Sequence, residues 1–421
     1  MKRKQTFWRG TILAMAATVG SVAAEPEFRT DINPALLYFQ AFQNMPQLSD
    51  DDTKHLFENW TGGAWPDKID DRARDLLKQY DNSFKGLKRA RHSQVPCDWG
   101  YDLTDGAETL LSGLAPAKRL TQAARFRAMA ALDAGQFDAV IEDLAAVFVL
   151  GRNLSTDRIL ISAIVQIAVE NILTSVVMEN YYRLSADQLD ALLGAFDSAP
   201  PRGTIAATIP VENVSFFRYT LRKVEKIIAE SNGNTDLFWQ RFEAFWNPIA
   251  TDPVANKGPE PSAAEARATA HGNIDELLAL LNEMPVYYSE TARIMGLPYA
   301  EYKQQAPTFF ARIEQSTNPF INQFFRVFVN IRPKEFSAMV RMEMVRAAAA
   351  YKRGGMEALN AVQDPLIGGP FEFSRVVFEG VDRGFQLKSK ERFRDFDEVM
   401  IFLETPGKHF RLAGKNAGTA R

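Results

Sequence analysis

The sequence predicts a mainly α protein, a helical array of antiparallel hairpins with a small C-terminal antiparallel β element. Three observations carry this. Apolar residues recur at three- and four-residue spacing over most of the chain between Pro34 and Arg353. Helix starters such as Asn33-Pro34 and breakers such as Gly135 divide that stretch into hairpin-sized pieces. After Gly368-Gly369-Pro370 the apolar period falls to two.

In chain order, Asn33 reads as a helix cap with Pro34 at the first helical position, followed by Leu36, Leu37, Tyr38, Phe39, Ala41, Phe42 and Met45. Ser49 and the acids Asp50 to Asp52 start a second helix that ends near Trp60, before Thr61-Gly62-Gly63. Residues 69–93 are amphipathic, with Leu76, Leu77, Tyr80, Phe84 and Leu87 on one face. Residues 94–106 form a loop containing Cys97-Asp98-Trp99-Gly100. Residues 117–134 and 136–152 make a helical hairpin around Gly135.

The run 159–178 is apolar enough to suggest a membrane span, with Asp157 as its expected cap. Gln166, Glu170 and Asn171 near its middle would be costly in hydrocarbon, so a helix buried inside a bundle fits better. Ser185 caps the next helix, with Leu189, Leu192, Leu193 and Phe196 inward, and Pro200-Pro201-Arg202-Gly203 ends it. Residues 211–230 are amphipathic and 237–246 aromatic.

The composition then shifts. Residues 248–272 hold Pro253, Pro259 and Pro261 and little apolar material, and read as a mobile loop or linker. It separates an N-terminal helical region (25–247) from a second one (273–363). The β element occupies 364–405. Phe371, Phe373, Val376 and Phe378 lead to a turn over 380–384, then Phe385 and Leu387, then Val399, Ile401 and Leu403. A basic tail, 406–421, is expected to be flexible.

The ends and the charge constrain location. Lys2, Arg3 and Lys4 precede an apolar stretch over 11–22, and Val22-Ala23-Ala24 supplies small residues for cleavage before Glu25. A membrane anchor needs about 20 apolar residues, and Glu25, Glu27 and Arg29 end this run too soon. No cysteine follows it, which excludes lipid attachment, and no twin arginine is present, which favours the general secretion route. Residues 1–24 are therefore read as a signal peptide, and the mature chain as periplasmic or extracellular without an integral span. Without that segment the net charge of −3 becomes −7. A mildly acidic chain has no electrostatic footprint for nucleic acid or anionic lipid. The single cysteine allows no internal disulfide, so stability must come from a core, for which 30 Phe, 11 Tyr and 6 Trp suffice.

Local catalytic signatures are missing. There is no Gly-x-Ser-x-Gly, Ser-x-x-Lys, Walker loop, Gly-x-Gly-x-x-Gly, Cys-x-x-Cys or His-Glu-x-x-His. No two of His55, His92, His271 and His409 lie three or four apart, as a helical metal site would require. His55 and Glu58 could supply two ligands, but read as a solvated helix face. Asp98, Asp102 and Asp105 share a loop without EF-hand spacing and read as turn and cap residues. No metal or cofactor is expected.

Two residues remain as weak catalytic candidates. Glu170 lies in the apolar helix, where an unpaired carboxylate is costly. It is either paired with an arginine such as Arg125 or Arg127, or a functional carboxylate with a raised pKa. Cys97 more readily packs than reacts, yet Arg89, Arg91 and His92 are near in sequence and could lower a thiol's pKa. Glu142 and Asp143 are adjacent, face different ways and make no pair. Phe238, Trp239, Phe242, Phe245 and Trp246 could line a groove, but their helical spacing favours core.

The stretch 91–160 resembles a set of uncharacterised exported bacterial proteins. The resemblance rests on Cys97-Asp98-Trp99-Gly100, then Ala128, Leu132, Gly135 and Phe137, then Asp143 and Asp157. The opening Asn33-Pro34-Ala35-Leu36-Leu37-Tyr38 and the closing Asp364-Pro365 and Gly369-Pro370-Phe371-Glu372-Phe373 are similar to theirs as well. It implies a fold and no mechanism. The hairpin around Gly135 is also similar to one tetratricopeptide unit, departs from it at Val140, and has no second copy.

Two functions follow as expectations. The first is a non-catalytic binding or scaffold protein of the cell envelope, with another envelope protein as partner. The second is an envelope hydrolase with a dispersed site near Glu170 or Cys97.

Overall fold

A computed structural model describes residues 29–58, 69–250, 262–378, 380–393 and 396–405. The chain is mainly α, with one three-stranded antiparallel sheet at its C-terminal end. The signal-like segment 1–24 and the tail 406–421 lie outside the described residues, as do Trp60 and the Thr61-Gly62-Gly63 breaker.

Local signals fix the helix starts. At α1 (Pro34–Gln43) Asn33 Oδ1 accepts from the Ala35 N–H, and proline fills a position whose N–H would go unused. Ser49 Oγ accepts from Asp52 N at the head of α2 (Asp50–Thr53), which continues as a π turn to Glu58. The amphipathic run 69–93 divides into α3 (Asp71–Lys78), capped by Asp70, and α4 (Asp81–Arg91). The hairpin around Gly135 is α5 (Leu114–Asp133) and α6 (Phe137–Leu154). Gly135 has φ 70°, the left-handed conformation that closes a helix and that glycine adopts without strain.

The apolar run forms α7 (Leu160–Glu179), long and apolar enough to cross a membrane by length and composition. Most of it is buried in protein here, with Ala168 exposed, and Gln166, Glu170 and Thr174 are all buried. Its expected cap, Asp157, does not cap it. Leu160 N donates at 2.9 Å to Glu212 Oε1, a carboxylate brought from a distant helix to the positive end of α7. Next comes α8 (Ala186–Asp197), opened by a Ser185–Gln188 capping box and burying Leu189, Leu192, Leu193 and Phe196.

The amphipathic stretch expected over 211–230 starts earlier. It comprises α9 (Ile205–Glu212), a π turn at Asn213–Phe217 and α10 (Arg218–Ser231). Pro210 inside α9 hides its first turns from a sequence reading, because proline normally argues against a helix interior.

The aromatic segment is α11 (Thr235–Ala250), and α12 (Ala263–Thr269) lies inside the stretch expected to be a linker. Ser262 caps α12, and Ala263, Ala266 and Ala270 are buried. Alanine-faced helices lack the large apolar residues that mark a packing face, so composition alone misreads them. Residues 251–261 lie outside the described residues.

The second region holds α13 (Ile274–Asn282), α14 (Met284–Met295), α15 (Tyr299–Glu314), α16 (Pro319–Phe325) and the long α17 (Phe328–Ala361). It shares one continuous hydrophobic cluster with the first region: α9 packs on α14, and α7 and α8 on α17.

The sheet has the order β1 (Glu372–Phe378), β2 (Val381–Phe393), β3 (Phe396–Leu403). The turn is tighter than expected, since β2 starts at Val381 and includes Gly384. The inward face carries Phe385, Leu387, Met400 and Phe402, all fully buried. Val399, Ile401 and Leu403, the alternation expected on β3, are only half-buried and lie on the opposite face. Tyr181 meets Phe385 and Phe402 edge-on at 5.4 and 5.5 Å, seating the sheet against α7 and α17. Burying each such phenylalanine stabilises by about 1.5–3 kcal/mol.

Candidate functional site

Glu170 sits on α7, 4% exposed, where the core excludes water. Its partners are not Arg125 or Arg127. Arg202, from the Pro200-Pro201-Arg202-Gly203 segment, donates from Nε to both carboxylate oxygens at 3.1 Å and from Nη2 to Oε2 at 3.0 Å. Arg152 Nη1, at the end of α6, lies 3.1 Å from Oε1. Arg125 instead pairs with Glu179, and Arg127 with Asp143 and Asp81.

The cluster extends beyond Glu170. Arg202 Nη1 donates at 3.0 Å to Glu335 Oε1, which also accepts from Ile205 N at 3.2 Å. Arg332 pairs with the other oxygen of Glu335 and donates to Leu297 O at 3.2 Å. Burial alone would lower Arg202, but Glu170 and Glu335 hold its pKa above the ordinary value. One turn before Glu170, Gln166 braces the loop. Its Oε1 accepts from Gly203 N and Ser155 Oγ, and its Nε2 donates to Gly203 O. Gly203 has to be small there, since a Cβ would come within 2.4 Å of Ser155 Oγ.

Cys97 occupies a different region, between the head of α1 and the end of α6. Burial, aided by the charge of Asp157, pushes its thiol up to about 12. Of the cations near it in sequence, Arg91 is engaged by Glu142 at 2.9 Å. We therefore expect Ellman's reagent to label the native chain far more slowly than the urea-unfolded chain near neutral pH. Rapid stoichiometric labelling of the folded protein would contradict this.

The rest of the motif is structural. Asn33 Nδ2 donates to Asp98 O at 2.7 Å, and Asp98 Oδ1 accepts from Gly100 N at 2.9 Å. Trp99 stacks near-parallel to Phe42 and Tyr101, at 6.3 and 6.1 Å, and its Nε1 donates to Asn153 O. Asp102 accepts from Thr104 N.

The other candidates are likewise engaged. His55 Nε2 meets Asp70 at 3.0 Å and His271 Nδ1 meets Glu276 at 2.7 Å. Among the described residues, no group of three or more His, Cys, Asp or Glu side chains is placed to hold a metal. Glu142 and Asp143 do face different partners, Arg91 for the first, Arg127 and Lys88 for the second. In α11, Phe238, Trp239, Phe242 and Trp246 are buried: Phe238, Phe242 and Trp246 stack in a row, Trp239 meets the first two edge-on and Phe320 meets Trp246 edge-on, while Phe245 is half-buried.

The sequence did not mark Glu179 or Asp157 as acids with raised carboxyls. Burial pushes Glu179 up to about 7 against the pull of Arg125, and burial together with Asp98 pushes Asp157 up to about 6. An acid closing a twenty-residue apolar helix was a usable signal for Glu179. Asp157 had none, because its neighbour Asp98 lies 59 residues earlier. Compared with known proteins, the chain matches no family model, no curated protein and no solved structure.

Proposed function

We propose that this chain is an exported, non-catalytic binding or scaffold protein of the cell envelope whose partner is another envelope protein. One observation carries the non-catalytic part: both oxygens of Glu170, the buried acid that the sequence singles out for chemistry, are occupied by Arg202 and Arg152. A general acid or base must be free to exchange a proton with substrate, and this one faces guanidinium groups. The raised thiol of Cys97 argues the same way against a nucleophile. Export rests on Lys2-Arg3-Lys4, the apolar stretch 11–22 and Val22-Ala23-Ala24. Val377, Phe378 and Val381, exposed around the β1–β2 turn, add a small apolar patch suited to protein contact.

The test has two arms. Expression of the full chain followed by cell fractionation and N-terminal sequencing should yield an envelope protein beginning at Glu25. A cytoplasmic chain with an intact N-terminus would sink the export reading. The purified chain, with its Glu170→Gln and Cys97→Ser variants, should show no hydrolysis of ester, peptide or glycan substrates. Turnover by the parent that a folded Glu170→Gln or Cys97→Ser variant loses would establish the envelope hydrolase instead.

A further inference from the structure

We propose that Arg152, in the last turn of α6, is the receptor of a small-oxyanion site and takes a carboxylate or phosphate group on the side of its guanidinium that the Glu170 cluster leaves open. Such a site requires neither export nor a protein partner. The cluster is unbalanced. Arg152, Arg202 and Arg332 pair there with two acids only, Glu170 and Glu335, so among the described residues three positive charges face two negative ones. Elsewhere in the core the charges come out even: Arg125 meets Glu179, Arg341 meets Glu398, and Lys88 and Arg127 meet Asp143 and Asp81.

Arg152 bears the excess. Its Nη1 lies 3.1 Å from Glu170 Oε1 without the alignment of a hydrogen bond, and Nε and Nη1 are both buried with no acceptor among the described residues. Nη2 has no acceptor there either, and it alone of the three nitrogens is not sealed from solvent. A guanidinium offers five N–H donors and is costly to bury without acceptors, so orphaned donors of this kind mark the place of a further partner. Burial lowers the Arg152 guanidinium from its ordinary value and Arg202 adds to the fall, against the pull of Glu170, whereas Arg202, with two acids, is raised.

The orientation of Arg152 is fixed all the same. Its guanidinium lies over the Phe148 ring, 4.7 Å from the centroid, and that ring stacks on Phe196 at 4.3 Å. Glu170 holds the Nη1 side. Nη2 and the Nε next to it form the fork that matches two oxygens of a carboxylate or phosphate. The cluster also opens the right way. The Glu170 and Glu335 side chains are 5% and 1% exposed, while those of Arg152, Arg202 and Arg332 are 13%, 17% and 11% exposed. An anion arriving from solvent therefore meets guanidinium before carboxylate, and seated on Nη2 it supplies both the missing counter-charge and the missing acceptor.

Isothermal titration calorimetry of the full chain with sodium acetate and with sodium phosphate, at an ionic strength fixed with chloride, tests this. The parent should bind one equivalent of at least one of the two anions. Saturation by acetate alone assigns a carboxylate-bearing ligand, by phosphate alone a phosphate-bearing one, and by both a site that reads their shared oxygens. Arg152→Gln should weaken binding by about ten- to hundredfold, the worth of charge-assisted hydrogen bonds. Glu170→Gln should tighten it by about tenfold, because the competing carboxylate is gone. Lys226→Gln, which removes an exposed positive charge on α10, should keep the parental affinity. No saturable binding by the parent, or equal affinities in the parent, Arg152→Gln and Lys226→Gln, would overturn the site. If Arg152→Gln does not fold, Glu170→Gln decides: tighter binding upholds the site and unchanged binding rejects it.

Discussion

Arg202→Met is expected to lower the stability of the fold by about 3–5 kcal/mol, the usual loss when one partner of a buried ion pair is removed. The size follows from what is stranded. Glu170 would lose three hydrogen bonds and keep only Arg152, and Glu335 would lose one and keep Arg332 and Ile205 N. Urea unfolding followed by far-ultraviolet circular dichroism measures the change directly. The loss should also depend on pH. Acid neutralises carboxylates and so spares a pair left without its guanidinium, and the variant's deficit should therefore be smaller in acid than at neutral pH. Adding Glu170→Gln to Arg202→Met should recover part of the loss, whereas two independent sites would simply add. A deficit under about 1 kcal/mol, or one insensitive to pH, would mean that the cluster is solvated and that Glu170 is not held as a structural ion.

That the arginine would be Arg202 could not be read in advance. The composition of α7 exposes the problem, a carboxylate amid apolar residues, but it does not name the solution. Arg125 and Arg127 stood on a helix, where the periodicity invites pairing, whereas Arg202 stood after two prolines in what reads only as a terminator. The helix caps at Asn33, Ser49 and Ser185 were legible because a cap and the N–H it satisfies lie within three residues of each other. The cap of α7 was not, since Glu212 reaches Leu160 from 52 residues away and Asp157 was the nearer acid. Sequence thus identified a buried charge that needed a partner; only the path of the chain supplied it.

The sheet teaches the same lesson about faces. From Val399 to Leu403 every residue of β3 is apolar, so two opposite alternations fit equally well. What selects Met400 and Phe402 for the inside is three-dimensional. Glu398, on the same face, finds Ser337 and Arg341 of α17 at 2.7 and 3.1 Å, and Phe402 finds Tyr181. The opposite alternation would turn Glu398 outward and take it from Ser337 and Arg341.

Gly384→Ala is expected to cost about 3–5 kcal/mol, combining backbone strain with overpacking. Gly384 has φ 144°, and a Cβ there would lie 2.1 Å from Phe402 O and 2.9 Å from Glu404 N. Both are backbone atoms of the neighbouring strand, so relief requires parting β2 from β3 in the register that pairs Gly384 with Leu403. Such a shift would also pull Phe385 and Phe402 from their contacts with Tyr181. Gly380→Ala provides the comparison. It too has positive φ, at 75°, but a Cβ there meets nothing within 4 Å, so its cost should be only the conformational one of about 1–2 kcal/mol. Thermal unfolding of the two variants separates the contributions: a much larger fall for Gly384→Ala assigns the difference to close approach of the strands, and equal falls would assign both to the backbone angle and leave the seating of the sheet to its side chains alone.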